Sequence, residues 1–148
     1  MISIDTNILF FAFDETSPHN PKAMAFLESL ASEANVMLSE FVLAEFYRLI
    51  RNPAVNKKPL SAADAAAVIT SYRSHPCWQI ISFPPGEPSK FHDDLWRLAS
   101  KSAFPYRRLY DARLALAVRS FSVTEFATAN TKDFEGFGFR RVWNPLAN

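Results

Sequence analysis

The sequence has little cysteine, glycine or histidine, and each shortage argues against one class of protein. The one cysteine among its 148 residues, Cys77, cannot form a disulfide within the chain and is typical of a reducing compartment. Three glycines in all leave no glycine-rich loop of the kind that binds phosphate. The three histidines, His19, His75 and His92, lack the spacing of metal ligands, so a histidine-based metal site is not expected.

The chain also lacks a strong charge imbalance and a long apolar run. Its net charge of +1 neither indicates nor excludes a nucleic-acid binder, because the local distribution of charge decides that property. No apolar stretch approaches the roughly 20 residues that span a bilayer. The apolar run at the N-terminus has no basic segment before it and meets an acid at position 5, unlike a signal peptide. We therefore expect a cytoplasmic protein without a membrane partner.

The pattern of apolar residues predicts strands that alternate with helices in one domain spanning residues 1–148. Strands are predicted at residues 2–5, 36–38, 78–82, 125–128 and 140–143. Helices are predicted at about 21–32, after Ser39 to 51, after Ser61 to about 72, at 91–102 and at about 109–120. This alternation is typical of an α/β fold with a mostly parallel sheet and helices on both faces.

Four acids, Asp5, Glu45, Asp111 and Asp133, stand where such a fold gathers its ligands. Asp5 ends the first strand, Asp133 follows the fourth strand, and the other two lie near the N-terminal ends of helices. Ligands bind beyond the carboxyl ends of parallel strands, and these positions converge there. Carboxylates gathered without cations repel one another unless a hard cation neutralises them. The four acids therefore predict a Mg²⁺ or Mn²⁺ site and phosphoryl chemistry.

Each acid also has an ordinary structural explanation. Asp5 could cap a helix, and Glu45 could pair with Arg48 three residues later. Asp111 could interact with a helix dipole from the first turn, and Asp133 could be a loop acid. These explanations stay open at the level of the sequence.

Glu40 and Glu45 lie on one predicted helix and compete for a place in the site. They are five residues apart, which is about 140° around a helix of 3.6 residues per turn, so they cannot readily face one pocket. Glu40 falls in the first turn, where the helix dipole stabilises a carboxylate. Glu45 lies between Ala44 and Phe46, and we expect it to be half-buried and to belong to the site.

Four segments, taken together and in order, resemble the PIN-domain nucleases, and more closely the VapC toxins of bacterial toxin–antitoxin pairs. Each segment alone is a weak signal, but the set covers nearly the whole chain at a spacing suited to one domain. The segments are Ile-Asp-Thr-Asn-Ile-Leu at 4–9, Leu-Ser-Glu-Phe-Val-Leu-Ala-Glu at 38–45 with Arg-Asn-Pro at 51–53, Tyr-Asp-Ala-Arg-Leu-Ala at 110–115, and Ala-Thr-Ala-Asn-Thr-Lys-Asp-Phe at 127–134 with Gly-Phe-Gly-Phe at 136–139.

The resemblance implies a three-layer α/β/α PIN domain and a magnesium-dependent ribonuclease, with Mn²⁺ as a substitute ion. By motif, the family's acidic quartet corresponds to Asp5, Glu45, Asp111 and Asp133. Asp5 and Asp111 would bind the ion directly, Glu45 would bind the ion or a water on it, and Asp133 would complete a second ion or the outer shell. Some relatives carry the fourth acid at the position of Asn130, so that choice stays open.

The resemblance also implies partners, namely an RNA substrate, a cognate VapB-type antitoxin and a second copy of the chain. Arg107 and Arg108 lie in a stretch that is more basic than the family's general pattern, and they could line a path for RNA to Asp111. Asn130 is a further candidate for RNA contact. A second departure from the family pattern is Ser122, which precedes Val123 where many relatives have Gly-Val.

Two other protein classes share part of this pattern and remain alternatives. Haloacid-dehalogenase-type phosphatases begin with an Asp after the first strand, but they need a second Asp two residues later, where this chain has Asn7. Receiver domains, which bind phosphate around Mg²⁺, need paired acids after the first strand and a phosphorylated Asp after the third. Here Asp5 has no adjacent acid, and the third strand leads into Ser-Phe-Pro-Pro at 82–85.

Overall fold

A five-stranded β-sheet forms the centre of the described part of the chain, which comprises residues 1–83 and 85–147 of a computed structural model. The strands are arranged in the order β3-β2-β1-β4-β5, and all four neighbouring pairs are parallel. The prediction of a mostly parallel sheet is therefore confirmed. The strands are β1 (Ile2–Ile4), β2 (Val36–Ser39), β3 (Gln79–Ile81), β4 (Glu125–Ala127) and β5 (Arg141–Trp143).

Helices cover both faces of this sheet. The chain moves from β1 to β3 in one direction and then returns to β4 and β5, so right-handed crossovers place α1–α4 on one face and α5–α7 on the other. Packing of α1 with α2 and α3, of α3 with α4, and of α6 with α5 and α7 follows this division. The described helices are α1 (Thr6–Phe13), α2 (Asn20–Ser29), α3 (Glu40–Arg51), α4 (Ala62–Arg73), α5 (Pro88–Ala99), α6 (Leu109–Ser120), which follows a 3₁₀ turn at Tyr106–Arg108, and α7 (Thr131–Phe134).

These three layers confirm the predicted α/β/α architecture. Fully buried apolar side chains from the sheet and from both helical layers fill the space between them. Phe126 of β4 stacks on Phe134 of α7 with ring centroids 4.3 Å apart, which anchors the short α7 to the sheet. In the described residues, no helix has the length and apolar character needed to cross a membrane.

Helix α1 is absent from the sequence prediction, although it follows β1 directly. None of its residues is exposed, and its sequence is almost entirely apolar. Such a helix has no polar face, so the periodicity of 3.6 residues that reveals other helices is missing. Asp5 caps α1 by accepting a hydrogen bond from the amide of Thr6. The ordinary explanation of Asp5 as a helix cap is therefore correct.

Capping chemistry sets the other helix boundaries. Helix α3 begins directly after Ser39, as predicted, and Ser39 caps it by accepting a hydrogen bond from the amide of Phe41 over 3.1 Å. Ser61 caps α4, because its hydroxyl accepts from the Asp64 amide, and the same hydroxyl donates to the Asp64 carboxylate. Helix α5 begins at Pro88, three residues earlier than predicted, because proline is well tolerated at the first helical position.

Ser122 has a left-handed backbone, with φ of 62°, directly after α6. The amide of Ser122 donates to the carbonyl of Arg119, and the amide of Val123 donates to the carbonyl of Val118. This pair of bonds is the Schellman motif that ends many helices, and its left-handed position favours glycine. Ser122, which stands where many relatives have glycine, therefore adopts this backbone conformation at a cost in conformational energy. The two hydrogen bonds still end the helix at this point.

Candidate active site

The order of the strands reverses between β1 and β4: the connection after β1 leads toward one edge of the sheet, and the connection after β4 leads toward the other. Ile4 pairs with Ala127 in the parallel register, so the residues that come next, Asp5 and Thr128, lie side by side at the carboxyl edge. The amide of Asp5 donates to the carbonyl of Ala127 over 2.9 Å. Open α/β sheets bind their ligands at such a switch point, so the fold by itself places a site at Asp5.

Three hydrogen bonds fix the carboxylate of Asp5, which is 7% exposed. Its Oδ1 accepts from the amide of Thr6 over 2.7 Å. Its Oδ2 accepts from the side-chain amide of Asn7 over 2.8 Å and from the hydroxyl of Thr128 over 2.6 Å. A carboxylate offers about four acceptor positions, so these contacts leave one position, on Oδ1. Asp5 is therefore preorganised to bind one further group through one oxygen.

The same polar side chains tie the start of α1 to the loop after β4. Asn7 accepts from the amide of Ala129 over 3.1 Å, and its own amide also reaches the hydroxyl of Thr128. That hydroxyl accepts in turn from the amide of Asn130 over 2.9 Å. The network holds the two strand ends together, so the direction of Asp5 does not depend on a ligand.

Glu45 reaches the site from α3 through Thr6. The hydroxyl of Thr6 donates to Oε2 of Glu45 over 3.0 Å. Oε1 of Glu45 lies 3.8 Å from the guanidinium of Arg48, a surface contact that contributes little to stability. The prediction that Glu45 is half-buried is wrong, since 51% of its side chain is exposed. It projects into a pocket between α3 and α6 that is open to solvent.

Glu40 faces a different neighbour. Its carboxylate accepts from Nε of Arg73 on α4 over 2.7 Å, so it links two helices on one face of the sheet. The two glutamates of α3 therefore point in different directions, as the spacing predicts, and the contact to Thr6 distinguishes Glu45 from Glu40.

Asp111 lies in the first turn of α6, and Asp133 lies in α7 rather than in a loop. Arg108 connects the two helices, because its guanidinium donates to the carbonyls of Asp133 and Glu135 over 2.8 and 3.4 Å. The same guanidinium lies over the ring of Phe137, 5.5 Å from its centroid. Arg108 thereby holds α7 against the start of α6 and keeps Asp133 near Asp111.

The pKa of Asp5 reflects its burial first and the charges of neighbouring acids second. Burial raises this pKa from 3.8 to about 6, although the hydrogen bonds from Thr128 and Thr6 lower it. The charges of Asp111 and Glu45 raise the pKa further. Ionised Asp5 is therefore destabilised by its surroundings until a cation approaches it.

Asp111 behaves in the same way. Burial raises its pKa to about 6, and the charges of Asp133 and Glu45 add to the rise, while the charge of Arg108 lowers the pKa. The charges of Glu45, Asp111 and Asp133 thus each raise the pKa of at least one neighbouring acid. The structure places Asp5, Glu45 and Asp111 within electrostatic reach of one another, and Asp133 within reach of Asp111.

The acids suit a metal ion by the type of their ligand atoms, but they are not arranged as a complete set of ligands around one point. Within residues 1–83 and 85–147, no group of three or more His, Cys, Asp or Glu side chains is arranged to hold a metal ion. In the same residues, no Lys or Arg forms an ion pair with Asp5, Asp111 or Asp133. Mg²⁺ prefers oxygen ligands and is commonly held through one or two carboxylates while it keeps several waters. The donor set, with one free acceptor position on Asp5, suits that mode of binding.

The three residues that the sequence suggests for RNA contact differ in what they offer. Arg108 is half-buried and committed to backbone carbonyls, so its contacts in the structure are structural. Arg107 is exposed and lies over the ring of Tyr106, 5.6 Å from its centroid. Asn130 is exposed at the start of α7 and makes no side-chain capping bond. Arg107 and Asn130 are thus the two whose side chains face solvent.

Sequence reasoning missed the hydroxyls of Thr6 and Thr128 and gave Asn7 no part in the site. All three side chains bind the predicted acids directly. Thr128 is the first residue after a strand, as Asp5 is, but nothing local indicates that these two strands are neighbours. The pairing of β1 with β4 is the signal that identifies Thr128, and it exists only in the fold.

The chain belongs to the PIN-domain family, because the family model described as PIN domain matches residues 2–132. The match includes Asp5, Glu45 and Asp111 and ends one residue before Asp133.

Within that family, the chain is similar to Ribonuclease VapC24 of Mycobacterium tuberculosis. It is 42% identical to this protein over 148 residues, which are 100% of this chain and 99% of the relative, in the strains CDC 1551 / Oshkosh and ATCC 25618 / H37Rv.

Solved structures share the fold at lower identity. FitAcB from Neisseria gonorrhoeae has a TM-score of 0.66 at 22% identity and covers 100% of both chains. VapBC2 from Rickettsia felis, bound to a DNA fragment from its promoter, has a TM-score of 0.64 at 20% identity and covers 97% of this chain and 98% of that one. Mycobacterium tuberculosis VapC20 has a TM-score of 0.61 at 16% identity and covers 85% of this chain and 87% of that one.

Proposed function

We propose that this protein is a magnesium-dependent endoribonuclease, acts as one domain in the cytoplasm, and is the toxin of a VapBC-type toxin–antitoxin pair. The observation that carries the proposal is the cluster of Asp5, Glu45, Asp111 and Asp133 at the switch point of the sheet. The identity of 42% with a ribonuclease over the full length supports the same activity.

The roles of the acids follow from their surroundings. Asp5, with a fixed carboxylate and one free acceptor position, and Asp111 would hold Mg²⁺ or Mn²⁺ directly. Glu45, exposed and oriented by Thr6, would bind the ion or a water on it, and Asp133 would complete the outer shell or a second ion. When bound, the ion supplies charge neutralisation at the phosphate and activation of a water.

The products follow from hydrolysis by water. In-line attack of a water on the phosphodiester would leave a 5′-phosphate and a 3′-hydroxyl. The pocket beside Glu45 and Asp111 is not lined by any of the three histidines, which disfavours cyclisation driven by a histidine base. Arg107 and Asn130, which are exposed, are proposed RNA contacts. Arg108 holds α7, which begins directly after Asn130, against the start of α6.

The proposed partners are a VapB-type antitoxin and a second copy of the chain. Two structures with a similar fold, FitAB with the IR36 DNA fragment and VapBC2 of Rickettsia felis with promoter DNA, are complexes bound to DNA, which supports pairing with a DNA-binding antitoxin. An antitoxin arginine could pair with the uncompensated carboxylates, because charge-assisted hydrogen bonds to carboxylates are strong.

Cleavage assays test the activity. The purified chain should cut single-stranded RNA with Mg²⁺ or Mn²⁺ present, and excess EDTA should stop the reaction until the ion is restored. Cleavage that persists in EDTA would contradict the metal mechanism, and no cleavage of any RNA with either ion would contradict the ribonuclease activity.

Co-expression tests the pairing. A small neighbouring gene that encodes a DNA-binding antitoxin should yield a complex with suppressed cleavage. A fully active complex, or the absence of any complex, would contradict the toxin–antitoxin assignment.

The phosphatase and receiver alternatives are not favoured. The position that needs a second acid in a phosphatase is Asn7, whose amide donates to Asp5 and fills an acceptor position on it. The end of β3 leads into Ser82 and Phe83, so no carboxylate is available there for phosphorylation.

A further inference from the structure

An exposed tyrosine lies directly beside the acid cluster. Tyr110 is 70% exposed, although it precedes the half-buried Asp111 in the first turn of α6. It borders a pocket of about 360 Å³ between α3 and α6. The pocket takes Phe41, Glu45 and Arg48 from α3, and Tyr110, Asp111 and Arg113 from α6.

Arg113 fixes the inner side of this pocket. Its guanidinium lies over the ring of Phe41, 4.3 Å from the centroid, and over the ring of Tyr110, 5.1 Å from the centroid. Its Nε is buried and has no hydrogen-bond partner in the described residues. This cation–π contact holds one side of the Tyr110 ring and leaves the rest of the ring exposed to solvent. Because the side chain is already oriented, it loses little conformational entropy when a ligand binds to the ring.

The pocket combines three features that suit a nucleotide. A flat aromatic ring stacks on any base, and the guanidinium groups of Arg48 and Arg113 can bind phosphate oxygens. An uncharged base can lie beside Glu45 and Asp111 without charge repulsion. The pocket shares these two acids with the proposed metal site, so a base held here belongs to a nucleotide next to the phosphate that is cut.

We propose that Tyr110 is a base-stacking residue, which holds a base of single-stranded RNA adjacent to the scissile phosphate, with Arg113 as its support. The proposal rests on the ribonuclease function proposed above. RNA is the expected occupant because the stacking surface and the cations lie together beside the acids that would hold the ion.

Steady-state cleavage of a short single-stranded RNA by substituted proteins tests the proposal. Base stacking on an aromatic residue is worth about 1–3 kcal/mol, so Tyr110→Ala should raise KM by about 5- to 150-fold and leave kcat nearly unchanged. Tyr110→Phe keeps the ring and should retain the KM of the wild type. Trp96→Ala removes an exposed aromatic ring of α5 that does not line this pocket, and it should have no effect on KM.

A substrate series identifies the base. RNA with a single abasic nucleotide, moved along the sequence, should lose affinity for the wild-type protein at one position next to the cut. At that position alone, Tyr110→Ala should cause no further rise in KM.

Separate outcomes distinguish the two proposals. No RNA cleavage by the wild type overturns both of them. Cleavage by the wild type with an unchanged KM for Tyr110→Ala overturns the stacking role alone, as does a fall in kcat without a change in KM. A change in oligomeric state, or loss of antitoxin binding with RNA affinity intact, places Tyr110 in a protein interface and overturns it as well.

Discussion

Asp5 and Glu45, both assigned to the proposed site, lie in opposite kinds of surroundings. Asp5 is buried at a strand end, and three hydrogen bonds fix its carboxylate. Glu45 is carried by a helix, 51% of its side chain is exposed, and the hydroxyl of Thr6 is its one close partner among the described contacts inside the site. We therefore expect the sheet to present one rigid ligand at Asp5, and the helices to supply ligands, such as Glu45, whose side chains can change position.

This difference between the two acids has an energetic reason. A buried carboxylate without a cation is costly, and the raised pKa of Asp5 expresses that cost. An exposed carboxylate remains hydrated and can turn toward an ion with little loss of stability. The rigid side of the site should therefore determine affinity for the ion, and the exposed side should tolerate small changes of position.

The largest effect should come from Asp5→Asn. This substitution removes the charge, and it sets a new amide group against the amide of Asn7, where the carboxylate now accepts a hydrogen bond. Loss of a residue that merely supports a metal ligand typically costs 10–100-fold, so loss of the ligand itself should lower kcat/KM by more than about a hundredfold. Asp93→Asn, at an exposed acid of α5, is the control for cleavage assays. Comparable activity in both variants would remove Asp5 from the site.

The next test compares the two glutamates of α3. Glu45→Gln should keep the fold and lower activity by at least about tenfold, since its carboxylate faces the site. Glu40→Gln breaks an exposed ion pair to Arg73 and should cost at most about 1 kcal/mol of stability without loss of cleavage. Turnover and thermal melting of both proteins decide the matter. An inactive Glu40→Gln protein would mean that Glu40, and not Glu45, belongs to the site.

Two threonine hydroxyls sharpen the comparison between the rigid and the exposed acid. Thr128→Val removes a donor to buried Asp5 and should cost about 1–3 kcal/mol of stability, together with about tenfold in activity. Thr6→Val removes a donor to exposed Glu45, which water can replace, so it should cost less than about 1 kcal/mol. Denaturation curves and kinetics measure both effects, and Thr128→Ser should restore the loss. Equal costs for the two valine variants would show that the proposed difference between the two acids is wrong.

The pH dependence of stability should show the cost of ionising Asp5. Its folded-state pKa of about 6 exceeds the ordinary value of 3.8, so the folded state binds more protons than the unfolded state between these values. Stability without a metal should therefore fall by about 1–3 kcal/mol as pH rises from about 4 through about 6, and Mg²⁺ should restore it at neutral pH. Melting temperatures measured in EDTA over this range test the sign. A metal-free protein that becomes more stable across the same rise in pH would contradict the assigned shift.

The smallest effect should come from Ser122→Gly. The left-handed conformation of Ser122 costs about 1–2 kcal/mol for a residue other than glycine. Glycine avoids this cost, but its greater conformational entropy in the unfolded chain offsets part of the gain. The variant should gain about 1 kcal/mol or less in chemical denaturation. Cleavage should not change, because Ser122 lies at the opposite end of α6 from Asp111. A matching gain in activity would mean that overall stability, rather than the arrangement of the acids, limits the reaction.

Much of the fold was readable from local patterns. Alternating apolar segments predict the five strands and the parallel sheet, and the caps at Ser39 and Ser61 place two helix starts at their observed positions. Helix α1 was not predictable in this way, because a helix buried on every side has no polar face to reveal its period. Local pattern also failed for the exposure of Glu45, since apolar neighbours in sequence point to other sides of a helix.

The sequence by itself determined which acids meet, because the order of strands and helices delivers each of them to the carboxyl edge of the sheet. Only the tertiary structure decided how they meet. The pairing of β1 with β4 places the hydroxyl of Thr128 against Asp5, and Arg108 places α7 beside α6. These contacts join residues far apart in the chain, and their energies depend on burial and direction, which no local sequence pattern contains.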